Sequence, residues 1–159
     1  MKCSLPTKDN TCIVIVTYNP DSEFVNNIFR HLEIVNKIFI IDNNSSLDIK
    51  AVLPIEYLDR IDFIRSDKNN GIAWALNKGI KEAIRFSYKW VLTFDQDSLP
   101  NVKLLEHYSI VLKEVKNIGL LGTEFSSKEE LIYSITWKNS LTLITSGTLH
   151  PISIFDTVG

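Results

Sequence analysis

The feature that most restricts this chain is an alternation. A short apolar run, a polar exit and an amphipathic stretch follow one another repeatedly over its first two-thirds. Cys12-Ile13-Val14-Ile15-Val16-Thr17 is the apolar run expected of a parallel strand buried on both faces. Lys37–Ile41, Ile61–Arg65 and Lys89–Phe94 read as three further strands, rich in β-branched and aromatic residues. Between them, Phe24, Val25, Ile28, Phe29 and Leu32 recur at helical spacing, as do Ile72, Ala73, Leu76, Ile80, Ala83 and Ile84. Pro20 suits the first turn of the first helix, with Asn19 or Asp21 as its cap. After the fourth strand, Leu104, Leu105, Tyr108, Val111, Leu112 and Val115 predict another amphipathic helix. Ile118–Leu121, Leu131–Trp137 and Leu141–Thr145 then read as strands. Strands that alternate with helices predict an α/β fold, a mostly parallel sheet flanked by helices with right-handed crossovers.

Size and charge narrow the reading further. A chain of 159 residues supports one sizeable core, so residues 1–159 are expected to form a single domain. The net charge of −2 supplies no polyanion-binding surface, which argues against a nucleic-acid partner. No apolar run approaches the ~18–20 residues that span a bilayer, and residues 1–10 hold no signal-peptide core. Cys3 and Cys12 have no metal-binding spacing and are expected to be reduced thiols in a cytosolic chain, Cys12 within the core.

The polar exits carry the chemistry. In a parallel sheet all carboxyl ends lie along one edge, where such sheets bind ligands. That edge is expected to carry Thr17-Tyr18-Asn19, Asp42-Asn43-Asn44, Asn69-Asn70-Gly71 and Asp95-Gln96-Asp97. Each loop alone is ordinary turn chemistry, because Asn, Asp and Gly favour turns for backbone reasons. Four at successive strand ends make a polar crevice the more economical reading. The two carboxylates of Asp95 and Asp97, at i and i+2, suit a divalent cation such as Mg²⁺ or Mn²⁺. Asp42 is placed to accept hydrogen bonds from a base or sugar. Asn70 and Gly71 stand at a helix start, where free backbone N–H groups favour phosphate.

Four segments together resemble the family 2 glycosyltransferases, nucleotide-sugar-dependent enzymes with the GT-A fold. They are Ile15–Asn19, Ile40–Ser45, Asn70–Gly79 and Asp95–Asp97, which agree with the family in order and spacing. Phe94–Ser98 and Ile144–Leu149 look closest to the bacterial rhamnosyltransferase branch. The resemblance implies that Thr17, Tyr18, Asn19 and Asp42 line a base pocket, that Gly71 and Asn77 shape the pyrophosphate side, and that Asn44 and Asn70 belong to the same donor-nucleotide site. It implies that Asp95 approaches the ribose or a metal-bound water, and that Asp97 holds Mg²⁺ or Mn²⁺ against the diphosphate. The implied reaction moves a sugar, rhamnose among the candidates, from a UDP- or dTDP-sugar donor to a saccharide or lipid-linked acceptor. By the same resemblance it serves surface polysaccharide synthesis, in the cytoplasm or peripherally at the inner membrane face. The family's catalytic base would lie beyond Gly159, so the sequence reads as an amino-terminal portion, incomplete at its carboxyl end. It is expected to bind nucleotide, to transfer sugar slowly or not at all, and to self-associate through apolar surface. Two rivals stand beside this reading. A non-catalytic nucleotide-binding fragment would use the same crevice. A sugar nucleotidyltransferase would want a basic, Gly-rich loop after the first strand, which Thr17–Asp21 does not supply.

Overall fold

The computed structural model describes residues 4–115, 118–123, 138–140 and 144–155. Five strands, β1 (Thr11–Thr17), β2 (Ile38–Asp42), β3 (Ile61–Arg65), β4 (Trp90–Asp95) and β5 (Thr148–Pro151), form one sheet in the order β3-β2-β1-β4-β5. The first four are the strands that the apolar runs predict, and they pair in parallel. β5 runs antiparallel to β4. The interior strands β1, β2 and β4 are buried along almost their whole length, as their unbroken apolar sequences require. Edge strand β3 is half-buried and accommodates Asp62 and Arg65.

Alternation along the strands divides the core in two. One face carries Ile13, Ile15, Ile38, Ile40, Leu92 and Phe94, packed with residues of helices α1 (Phe24–Ile34) and α4 (Leu104–Glu114). A one-turn helix, α2 (Ile49–Val52), adds Ile49 to that face. The other face carries Cys12, Val14, Phe39, Ile41 and Val91 beneath helix α3 (Ile72–Arg85). Cys12 is a buried free thiol, as expected of a small core residue.

The buried stripe of α3 differs from the predicted one. Ala75, Gly79, Ile80 and Ala83 face the sheet, while Ile72, Ala73 and Ile84 are exposed. The reason is a run of small residues at i, i+4 and i+8, which lets the helix backbone approach β1 closely. A Cβ placed on Gly79 would lie within 2.9 Å of both methyls of Val14.

Other expectations at the element ends are corrected. α1 begins at Phe24, so Pro20 lies upstream of it, and Asp21 accepts the Glu23 N–H (3.0 Å) instead of capping from inside the helix. In place of a strand over Ile118–Leu121, only Leu121 pairs, through an isolated bridge to Leu149. Leu131–Trp137 lies outside the described residues, and Ile144 and Thr145 are not in a strand. The fifth strand comes instead from Thr148-Leu149-His150-Pro151, too short for an alternation signal. Its proline is tolerated at the end of an edge strand, where a missing N–H removes little.

His31 is the other buried oddity. Its Nδ1 donates to the Asn27 carbonyl (2.8 Å), its ring stands edge-on to Phe94 (4.8 Å), and Nε2 has no hydrogen-bond partner among the described residues. Burial pushes its pKa down to about 4.

Two predictions follow from this packing. Gly79→Ala should destabilise the fold by roughly 1–3 kcal/mol despite alanine's better helix propensity. Val14→Ala should make the second substitution nearly neutral in a double-mutant cycle by chemical denaturation, whereas strict additivity would refute the clash. For His31, the neutral ring is favoured in the folded state, so its contribution is complete above about pH 6.5 and is lost as pH falls through 4. That loss is on the order of 3 kcal/mol. His31→Leu should reduce the acid slope in urea titrations run from pH 7 to pH 4. His150, also pushed down to about 4 by burial, contributes in the same direction. An unchanged slope in the variant would reject the assignment.

Candidate functional site

Parallel register fixes which strand ends meet. Thr17 lies beside Asp42, Asp42 beside Arg65, and Val16 beside Asp95. The four polar exits therefore share one edge and are tied together by side chains. Asn19, in the left-handed region at φ 47°, donates its N–H to Ser45 Oγ (2.8 Å) and accepts the Ser46 N–H on Oδ1 (2.8 Å). Asn43 donates Nδ2–H to Asn69 Oδ1 (2.8 Å) and accepts the Asn70 N–H (2.8 Å). Asn69 Oδ1 also takes the Gly71 N–H (2.9 Å), and Asn70 Nδ2 donates to Ser66 Oγ (2.7 Å). Gln96 Oε1 accepts the Tyr18 N–H (2.9 Å), joining the first exit to the fourth.

Between these loops lies an open crevice of about 470 Å³, within the ~300–1,000 Å³ range of small-molecule clefts. Val16 and Tyr18 form one side; Asp95, Gln96 and Asp97 form another; Asn43, Asn69, Gly71 and Ile72 close the third. Of the residues expected from sequence, Tyr18, Gly71, Asp95 and Asp97 line it. Thr17 and Asp42 do not, because both are fully buried. The Asp42 carboxylate accepts from Thr17 Oγ1 (3.2 Å), from the Ser45 N–H (3.2 Å) and from the Ser45 hydroxyl, and lies 3.6 Å from Arg65 Nε. It serves as a tie between β1, β2 and β3. Asn19 and Asn70 are spent on loop bonds, whereas Asn44 (φ 73°) and Asn77 are exposed and lie outside the crevice lining. Trp74, in the first turn of α3, is 40% exposed.

Asn43, Asn69 and Gln96, expected along this edge but given no role in the site, belong to the lining, as does Ile72, expected on the apolar face of α3. Strand alternation carries the missing signal. Val14, Val16 and Tyr18 share a parity, as do Phe39, Ile41 and Asn43, and Val91 and Asp95. All of these continue the α3 side of the sheet, whereas Thr17 and Asp42 continue the opposite side.

The acid pair is electrostatically uncomfortable. Partial burial, and then the neighbouring Asp97 carboxylate, push Asp95 above the usual carboxylate range. No lysine, arginine or histidine among the described residues forms an ion pair with either. Two oxygen donors are fewer than a closed protein site needs, and no group of three or more metal-ligating side chains occurs among the described residues. The donor chemistry nonetheless fits Mg²⁺ or Mn²⁺, which keep water and take phosphate oxygens beside one or two carboxylates.

The turn carrying the pair is braced from behind. Ser146, buried, accepts the Asp95 N–H on Oγ (3.1 Å) and donates to Ser98 Oγ (2.7 Å), gripping both ends of the turn. Ser98 N–H closes it on the Asp95 carbonyl (3.2 Å). Gly147 follows at φ 74°, donating its N–H to the Thr93 carbonyl (2.7 Å) and accepting from the Tyr108 hydroxyl. Ser146→Ala should cost about 1–2 kcal/mol and accelerate amide exchange at Asp95. Unchanged exchange there would show that the brace is not formed in solution.

With the geometry in place, comparison with known proteins is informative. A family model described as glycosyl transferase family 2 matches residues 12–118. The dTDP-rhamnosyl transferase RfbF of Shigella flexneri is 26% identical over an alignment covering 94% of this chain and 56% of that protein. Among solved structures, S. aureus TarS 1-349 superposes with a TM-score of 0.69 at 14% identity, over 92% of this chain and 48% of TarS 1-349. The same fragment in complex with UDP-GlcNAc matches equally well, over 92% and 46% of the two chains. The fold is thus GT-A, and the chain spans about half the length of these relatives. No helix among the described residues is long and apolar enough to cross a membrane.

Proposed function

The chain belongs to glycosyl transferase family 2, and from that premise we propose that its crevice is the donor site for a pyrimidine nucleoside diphosphate sugar. One observation carries the reading: the acid pair and the N-terminus of α3 border a single crevice. The first turn of a helix has N–H groups without intrahelical acceptors, and Gly71 and Ile72 bring that turn to the cleft wall. A diphosphate there meets backbone dipoles from one side and Asp95 and Asp97 from the other.

The residues divide the work. Tyr18, half-exposed at the cleft rim, offers a ring face to the base. Asp95 and Asp97 are the ligands for Mg²⁺ or Mn²⁺. When bound, the cation supplies Lewis-acid stabilisation of the negative charge that grows on the departing nucleoside diphosphate. Gly71 lets the backbone turn into α3 with no side chain over the diphosphate; its φ of 83° suits glycine and strains most other residues. Asn70 shapes the loop that enters α3 on the pyrophosphate side, Thr17, Asn19, Asp42 and Asn44 shape the loops that carry the base pocket, and Asn77, exposed and outside the crevice lining, is given no contact.

The reaction proposed for the whole protein is inverting transfer of a sugar to a saccharide or lipid-linked acceptor in surface polysaccharide synthesis, at the cytoplasmic side of a membrane. RfbF, named as a dTDP-rhamnosyl transferase, favours rhamnose and a thymidine donor. The TarS fragment in complex with UDP-GlcNAc keeps a uridine donor open.

Calorimetric titration with UDP and dTDP, each with and without Mn²⁺, tests the site. Manganese should tighten binding, and Asp97→Ala should remove at least about tenfold of that affinity, equivalent to about 1.4 kcal/mol. Because Asp95 resists ionisation, the manganese-dependent part should weaken on acidification from above the ordinary aspartate range. Metal-independent binding would reject the cation site, and no binding by a folded chain would reject the donor site.

A further inference from the structure

The residue between the two aspartates has an unusual set of bonds for a spacer. Gln96, half-buried, turns its amide onto the backbone of Tyr18. Oε1 accepts the Tyr18 N–H at 2.9 Å, and Nε2 stands 3.5 Å from the Tyr18 carbonyl as a weaker donor. A primary amide facing both groups of one peptide residue imitates the hydrogen-bonded pair of an antiparallel partner, placed just past the last parallel pair of β1 and β4, Val16 with Asp95. Gln96 itself lines the crevice, with Tyr18 on one side and Asp95 and Asp97 flanking it in sequence.

We propose that Gln96 is a positioning residue whose side-chain amide latches the acid-pair turn to the β1 exit, setting the spacing between the nucleoside-facing wall and the cation-binding carboxylates. The proposal rests on the donor-site reading for its ligand, but the latch itself does not. The turn is then held from two directions. Ser146 grips Asp95 and Ser98 from behind, and Gln96 ties the middle of the turn forward to Tyr18. A ligand that spans both walls reads their separation. A ligand or cation that touches one wall does not. Losing the latch should therefore weaken the cooperation between nucleotide and cation more than the binding of nucleotide alone.

Two measurements on the full chain test this, using Gln96→Ala and Gln96→Glu. In amide hydrogen exchange, Gln96→Ala should speed exchange at Tyr18 at least tenfold and leave Ile13 to Ile15 unchanged. Gln96→Glu keeps an oxygen for the Tyr18 N–H and should keep the protection. In titration, the ratio of nucleotide affinity with and without Mn²⁺ should fall at least fivefold in Gln96→Ala, with metal-free affinity within twofold of wild type. UDP or dTDP serves as probe, whichever wild type binds more tightly. Unchanged Tyr18 exchange in Gln96→Ala overturns the latch. Lost protection with an unchanged manganese ratio overturns the positioning role and leaves a structural bond. Wild type that binds neither nucleotide overturns the donor-site reading and this role with it, an outcome the wild-type titration alone distinguishes from failure of the latch.

Discussion

Parallel pairing of β1 with both β2 and β4 forces three strand ends onto one line, and the rest of the molecule is arranged around that line. Parallel neighbours need crossovers, so the sheet acquires helices on both faces and loses solvent access along its interior strands. With every polar exit delivered to the same edge, the loops must satisfy one another's backbone groups. They do so through short amides and hydroxyls, Asn19, Asn43, Asn69 and Ser45, in place of further ladder bonds. The density of asparagine at the strand ends is the chemical cost of four exits meeting in one place.

Carboxylates at this edge fall into two kinds, separated by what surrounds them. Asp42 is fully buried, yet hydroxyl and backbone donors and the Arg65 guanidinium answer its charge. It closes the structure. Asp95 and Asp97 sit partly in water, ion-paired with no cationic side chain among the described residues, and partial burial and then the Asp97 carboxylate disfavour ionisation of Asp95. Strand parity decides which aspartate receives which role, since Asp95 continues the α3 side of the sheet and Asp42 the other.

This also explains what could be read in advance. The four parallel strands and the three longer helices are long periodic segments, and their sequences announce them. Thr148–Pro151 does not, because four residues ending in proline carry no period and become a strand only by pairing with β4. The acid pair and Gly71 stand out as chemistry at a strand end and a helix start. Which neighbours share their crevice is a question of side-chain direction, so Asn43 is found by alternation and Asp42 excluded by it. Gln96 is harder still. Nothing in the sequence says that a side chain between two acids will bond a backbone 78 residues away.

The brace on the acid pair has a consequence in time. Ser146 lies 51 residues beyond the Asp95 amide that it holds. On a ribosome working at ~5–20 residues per second, β1 and β4 are complete seconds before Ser146 is made. Through that interval the turn that carries both aspartates lacks its Ser146 brace and has only its bonds through Gln96 and Ser98. The acid-pair turn therefore gains its rear support only after β1 to β4 have been made.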